Sequence, residues 1–115
     1  MRQALRAVFS LALTIGCEGN PPVLRLLSAS EGDGLRLTLQ SASGTHINAR
    51  LKPVLEMRNG TLLRFDSPYL TPDSSYFAAP PEALLPRARG PVHGRLRASV
   101  CDQDERTCRV VTLQL

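Results

Sequence analysis

Two cysteines near the carboxyl end of the chain, Cys101 and Cys108, are the residues whose type and spacing best support chemistry. Apolar and polar residues alternate over 92–100 and again over 108–115, which predicts two strands joined by a hairpin. If the strands pair, both sulfurs project from the same outer face, where opposed Cβ atoms lie about 4.5–5.5 Å apart. A disulfide needs a similar separation, so we expect Cys101 and Cys108 to be bonded.

A disulfide in this position supports two different roles. As a staple, it closes a short loop and stabilises a small domain by about 2–3 kcal/mol. As an outward-facing bond at the mouth of a loop, it is also open to attack by another protein's thiol. Acidic residues follow Cys101, whereas Arg106 and Arg109 flank Cys108 and Arg97 is expected across the strand. Positive charge favours a thiolate, so Cys108 is the expected attacking sulfur and Cys101 the resolving one.

The segment GRLRASVCDQDERTCRVVTLQL resembles the last hairpin of the N-terminal domain of the thiol:disulfide interchange protein DsbD family. That domain is a periplasmic immunoglobulin-like fold in which one Cys ends a strand and another opens the last strand. The resemblance implies that Cys108 attacks, that Cys101 resolves, and that the partner is a thioredoxin-like or other envelope protein. It also implies an aromatic cap over the disulfide, for which Tyr76 and Phe77 are the candidates. After the second Cys the family often has an aromatic or Pro-rich step, whereas this chain has RVV.

The first sixteen residues, MRQALRAVFSLALTIG, have the layout of a secretory signal peptide that is cleaved. Two arginines precede a nine-residue apolar run, which is too short to cross a bilayer, since a spanning helix needs about 20 residues. Cys17 follows in TIGC, which resembles the cleavage box of bacterial lipoproteins and implies a lipid on Cys17. The alternative is an ordinary signal peptide cut nearby, with Cys17 left as a thiol. We expect a lipoprotein-type signal peptide at 1–16, a tether at 17–22 and one domain at 23–115.

The cysteine count agrees with export. A lipid on Cys17 leaves Cys101 and Cys108 to pair with each other, and disulfides persist in oxidising compartments. We therefore expect a protein anchored by lipid on the periplasmic side of the bacterial cell envelope. Loss of Arg2 and Arg6 with the leader leaves twelve basic residues against ten acidic ones, which removes most of the support for a nucleic-acid partner.

The alternation of apolar residues predicts an all-β, immunoglobulin-like β-sandwich of about seven strands. Pro53 interrupts one of these strands, which predicts an edge position or a bulge. Asn59-Gly60 predicts a tight turn between the next two strands. The expected strands lie at 23–30, 34–40, 47–57, 61–65, around 76–77, 92–100 and 108–115.

Other chemistries find little support. His46 and His93 are the only imidazoles and neither lies in a metal-binding motif, and no GxSxG element is present. We therefore expect no metal and no cofactor. The arginine-rich stretch over 87–97 suits contact with anionic headgroups or an acidic partner, although an exposed strand face explains it more simply. Two functions remain: thiol–disulfide exchange in an oxidoreductase-type relay, or a non-enzymatic envelope interaction module whose disulfide only braces the last hairpin.

Overall fold

A computed structural model describes residues 22–88, 90–104 and 107–115, and this part of the chain contains strands and no helix. The predicted signal peptide, Cys17 and all but the last residue of the predicted tether lie outside the described residues, as do Arg89, Glu105 and Arg106. Within the described residues, therefore, no helix has the length and apolar character needed to cross a bilayer. The strands are β1 (Leu24–Glu31), β2 (Gly34–Ser41), β3 (Thr45–Ile47), β4 (Val54–Met57), β5 (Leu62–Arg64), β6 (Glu82–Leu85), β7 (Gly94–Asp102) and β8 (Cys108–Gln114).

The strands form two antiparallel sheets, which confirms the predicted all-β sandwich. The first sheet has the order β1-β2-β6. In the second sheet, β8 pairs with one edge of β7, while β3 and β4 pair in succession with its other edge. Because β3 and β4 share one position beside β7, the eight strands occupy seven positions in the two sheets. β5 pairs with the other edge of β4. The pairing of β2 with β6, and of β3 and β4 with β7 and then β8, corresponds to the B–E and C–F–G neighbours of immunoglobulin folds.

The core lies between the two sheets and comes mainly from alternate residues of β2 and β7. Leu37 and Leu39 of β2 are fully buried, and so are Leu96 and Val100 of β7. Phe65, just after β5, fills the space beside them and is also fully buried. Burial of each such side chain is worth about 1.5–3 kcal/mol, so this single cluster holds the sheets together.

The single strand predicted over 47–57 is wrong. The chain leaves β3 after Ile47 and begins β4 at Val54, directly after Pro53, which has no amide hydrogen to donate to a ladder. In the gap Leu51, which strict alternation from Ile47 would place on the apolar face of a strand over 47–57, is 63% exposed. The prediction of an edge strand is also wrong for β4, because it pairs with both β5 and β7.

The segment before β7 also differs from expectation. No strand forms around 76–77, where Tyr76 and Phe77 make isolated bridges to Asn48 and Leu70. The four-residue strand β6 was not predicted. The strand has four residues, and Ala83 carries the only buried side chain among them, so it shows no clear alternation of apolar and polar residues.

Candidate functional site

Cys101 and Cys108 are joined by a disulfide at the open end of the β7–β8 hairpin, as predicted. The two residues are directly opposed in the register, and their Cα atoms are 3.9 Å apart. The next pair along the hairpin is hydrogen-bonded, since the Asp102 amide donates to the Thr107 carbonyl at 2.8 Å. The cysteines therefore occupy a non-hydrogen-bonded position, where opposed side chains come closest.

The two cysteines differ sharply in exposure. Cys101 is fully buried, at 0% exposure, whereas Cys108 is exposed. The expectation that both face solvent is therefore wrong for Cys101. The outer face of β7 is open at Arg95 and Arg97 but covered at Ser99 and Cys101. An incoming thiol thus meets Cys108 first.

His46 lies beside Cys101 on the side away from Cys108. β3 pairs His46 with Cys101, and β8 pairs Cys108 with Cys101, so the three side chains form one row across the outer face. Neighbours in such a row have Cβ atoms about 5 Å apart. The sequence pattern assigns His46 no role, because the β3–β7 pairing joins distant segments and no local pattern reveals it.

Tyr76 lies on the far side of His46. Its ring stacks on the imidazole with centroids 5.1 Å apart and planes inclined by 23°. Phe77 instead points into the core, is 6% exposed, and donates its amide hydrogen to the Ile47 carbonyl at 3.0 Å. Of the two cap candidates, then, Tyr76 contacts the disulfide row through His46, and Phe77 anchors the segment that carries it.

The turn before Tyr76 is held by one carboxylate. Asp73 Oδ1 accepts hydrogen bonds from the Ser75 amide at 3.1 Å and from Thr71 Oγ1 at 2.9 Å. The Thr71 hydroxyl oxygen in turn accepts from the Tyr76 amide at 3.2 Å. The bond from Ser75, and then that from Thr71, lower the pKa of Asp73 below its ordinary value. The ionised carboxylate therefore helps to position the Tyr76 ring.

The charges near the cysteines are arranged differently from the prediction. Asp102 and Arg109 form an ion pair with 3.6 Å between Nη1 and Oδ1. Each adjoins a cysteine in its strand and so belongs to the opposite face of the sheet, because successive side chains alternate. Arg97 shares the face of the disulfide but lies four residues from Cys101 along β7 and pairs with Thr112.

The described residues contain no group of three His, Cys, Asp or Glu side chains that is arranged to hold a metal ion. Cys101 and Cys108 share a covalent bond, whereas metals bind the free thiolate. The row instead combines an accessible sulfur, a buried sulfur that would leave, and an imidazole beside it. This combination of groups is suited to thiol–disulfide exchange.

The chain was compared with protein-family models, with curated proteins and with solved structures, and none of the three comparisons found a match. The resemblance of the last hairpin to the DsbD family therefore stays a prediction.

Proposed function

We propose that the Cys101–Cys108 disulfide exchanges with a dithiol of a partner protein, in a two-electron relay at the bacterial cell envelope. The observation that supports this most directly is the difference in exposure within one bond: Cys108 is exposed and Cys101 is fully buried. Attack is thereby directed to one sulfur, as exchange through a single mixed disulfide requires.

The exchange proceeds in two displacements. A partner thiolate attacks Cys108 Sγ and forms a new S–S bond, while the bond to Cys101 breaks and its electron pair leaves on Cys101 Sγ. The partner's second thiol loses its proton, attacks the partner's own sulfur in the mixed disulfide, and releases the Cys108 thiolate. Two electrons and two protons pass from the partner to Cys101 and Cys108. In the reverse direction, Cys108 attacks an oxidised acceptor and Cys101 resolves the mixed disulfide.

His46 assists the leaving sulfur in this proposal. An imidazole always carries at least one N–H donor. Its place beside Cys101 in the register allows that N–H to donate a hydrogen bond to the thiolate that forms there. Stacking on Tyr76 limits the movement of the imidazole ring. Because Cys101 is buried, water is less able to take over this role.

The location of the relay is also part of the proposal. The disulfide uses two of the three cysteines, which leaves Cys17 as the residue for a lipid after a signal peptide at 1–16. Residues 17–22 would tether the sandwich to the membrane on its periplasmic side. The resemblance to the DsbD N-terminal domain supports a thioredoxin-like partner. Mass spectrometry of the mature protein tests the anchor, and an N-terminus other than acylated Cys17 would contradict it.

A second candidate is an envelope interaction module in which the disulfide is only structural. The burial of Cys101 favours this alternative, because a buried sulfur is protected from reduction. The bond also sits where β8 begins, and β8 pairs with β7 alone among the described strands.

The reduction potential of the disulfide separates the two candidates. Equilibration with dithiothreitol buffers, followed by alkylation and a gel shift, measures it on the intact protein. A relay predicts a potential above about −300 mV and reduction by reduced thioredoxin as a probe, whereas a structural bond lies below that value. A potential below it, with no reduction by thioredoxin, would falsify the exchange function.

Two single variants test which sulfur is attacked. Cys101→Ser leaves Cys108 as an exposed thiol, and Cys108→Ser leaves Cys101 as a buried one. We expect the Cys101→Ser protein to react with Ellman's reagent at least about tenfold faster than the Cys108→Ser protein, because access controls thiol reactivity. Equal rates in the folded proteins, or a faster Cys101, would contradict the assignment. The same measurement in denaturant should abolish the difference.

A further inference from the structure

The outer face of the second sheet carries a valine with one arginine on each side of it. The register pairs Val54 of β4 with Arg64 of β5 on one side and with Arg97 of β7 on the other. Opposed residues of neighbouring strands project to the same side of the sheet. Arg64 and Arg97 therefore both extend from the face that carries the disulfide, and both are exposed.

Neither arginine has a counter-charge within the part of the chain that the structure describes. Among the described residues, Arg64 and Arg97 make no ion pair and no side-chain hydrogen bond, whereas Arg36 binds Glu31 and Glu82. On the same face, Arg95 is 4.0 Å from Glu56. The positive charge of Arg64 and Arg97 is thus free to act on an approaching molecule, and exposed charges act over about 8–10 Å at physiological salt.

Apolar side chains lie next to these charges. Leu51 is 63% exposed and Val110 is 67% exposed. Together with Val54 and Arg97 they line an open depression of about 180 Å³. We call Arg64, Val54, Arg97, Leu51 and Val110 the basic outer face. A centre of apolar groups with charged groups around it is the usual composition of a protein-binding surface.

The basic outer face leads directly to the reactive sulfur. Val110 and Cys108 are alternate residues on one side of β8, so they are about 7 Å apart along the strand. A protein bound against Val110 and Leu51 would hold a protruding thiol within reach of Cys108.

We propose that the basic outer face is the docking surface for a protein partner whose own dithiol is surrounded by acidic residues. The proposal rests on the exchange function of Cys108 and specifies the class of partner that the site accepts. Unpaired arginines attract carboxylates and raise the encounter rate, while the apolar depression takes up a nonpolar group next to the partner's thiol. A partner surrounded by basic residues is repelled by the same two arginines.

Synthetic dithiol peptides test this on the wild-type protein. Three peptides share a Cys-Gly-Gly-Cys centre with one adjacent leucine and differ only in having four flanking glutamates, serines or lysines. At about 10 mM salt we expect the glutamate peptide to reduce the disulfide about tenfold faster than the lysine peptide, with the serine peptide between them. At about 1 M salt the three rates should converge, because the charges are screened.

Charge-reversal variants test whether Arg64 and Arg97 cause the dependence of the reduction rate on peptide charge. Arg64→Glu/Arg97→Glu should invert the order of the glutamate and lysine peptides at low salt. The control Arg25→Glu/Arg87→Glu makes the same change in net charge on the first-sheet side of the molecule and should keep the wild-type order. An unchanged order in the first variant, or an inverted order in the control, would overturn the proposal.

Dithiothreitol, a small neutral dithiol, distinguishes a failure of the docking proposal from a failure of the exchange function. If dithiothreitol reduces the folded protein and all three peptides act equally, the docking surface is wrong and the exchange function stands. If neither dithiothreitol nor any peptide reduces it, the exchange function is wrong as well. Binding of the wild type to phosphatidylglycerol vesicles that is lost in Arg64→Glu/Arg97→Glu would assign the face to membranes and overturn the proposal.

Discussion

At the scale of single residues, the chemistry of the disulfide depends on what lies beside each sulfur. Cys108 meets solvent, while Cys101 lies between Cys108 and His46 in the row across the sheet. The imidazole is held by Tyr76, and the turn before Tyr76 is held by Asp73. The reactivity of the bond should therefore respond to changes at residues that do not themselves touch a partner.

Substitution of His46 tests its assistance to the leaving sulfur. Phe keeps a ring that can stack on Tyr76 but has no N–H to donate, so His46→Phe should slow reduction of the disulfide by dithiothreitol about tenfold, roughly the effect of losing one hydrogen bond to a charged group. Stopped-flow or quenched alkylation assays measure the rate. His93→Phe, which makes the same change at the exposed imidazole before β7, serves as the control and should leave the rate unchanged. Equal rates for both variants would remove His46 from the mechanism.

Acid should weaken the fold through Asp73 and Asp66. The pKa of Asp73 is lowered mainly by the Ser75 amide, and that of Asp66 mainly by the Lys52 side chain. A carboxyl whose pKa is lowered in the folded state stabilises the protein at pH values above the pKa of the unfolded chain, which is about 3.9 for Asp. This stabilisation is lost as the pH falls through the lower pKa of the folded state. The melting temperature should therefore fall below about pH 4.

The variant Asp73→Asn checks this assignment by circular dichroism across the acid range. It should lower the melting temperature at neutral pH and make the decline below about pH 4 shallower. Asp33→Asn, in the turn between β1 and β2, serves as the control. A wild-type acid profile in Asp73→Asn would show that the loop before Tyr76 does not depend on this carboxylate.

At the scale of secondary-structure elements, β8 pairs with only one of the other described strands. Its partner is β7, the disulfide ties its first residue, and the Leu115 amide donates to the Gly94 carbonyl at 2.9 Å just beyond its end. Val111 and Leu113 turn towards the core but are only partly buried. β8 is therefore the strand on which opening of the disulfide should act first.

Removal of the disulfide should loosen β8 without unfolding the sandwich. For Cys101→Ser/Cys108→Ser we expect a loss of about 2–3 kcal/mol in the free energy of unfolding, which is the loop-closure contribution of a bond that spans so few residues. Denaturant titration measures this loss. Amide exchange should accelerate in β8 and change little in β2. A loss above about 4 kcal/mol, or faster exchange throughout the protein, would favour the purely structural role.

At the scale of the whole molecule, one core carries the stability of both sheets. Leu37 of the first sheet and Leu96 of the second belong to the same cluster and are both fully buried. With no second core among the described residues, the two sheets should unfold together. The site is thus stabilised partly by residues of the opposite sheet, which do not touch it.

Truncation of Leu37 tests this coupling. Leu37→Ala should cost about 2–5 kcal/mol, because it leaves a cavity between the sheets. Unfolding should remain a single transition whether it is followed by circular dichroism or by alkylation of Cys101 under reducing conditions. Leu84→Ala removes a leucine that is 55% exposed on β6 and should cost less than about 1 kcal/mol. Separate transitions for the two probes would contradict a shared core.

How much the sequence predicts depends on how local each feature is. The alternation of Leu35, Leu37 and Leu39 is visible within seven residues, and it led directly to β2. The predicted third strand failed, because the chain leaves the sheet after Ile47 and returns to it only at Val54, directly after Pro53, and the apolar residues in between gave no sign of this gap. β6 was missed since four residues with one buried side chain carry almost no pattern.

By itself, the sequence determined the all-β class and the Cys101–Cys108 bond. Both follow from short-range facts: side chains alternate along a strand, and a short loop leaves two hairpin cysteines facing each other. Only the tertiary structure decided that Cys101 is buried, that His46 lies beside it, and that Arg64 and Arg97 share one face. Each of these depends on which distant strand lies alongside β7 or β4, and that choice is made by packing the common core.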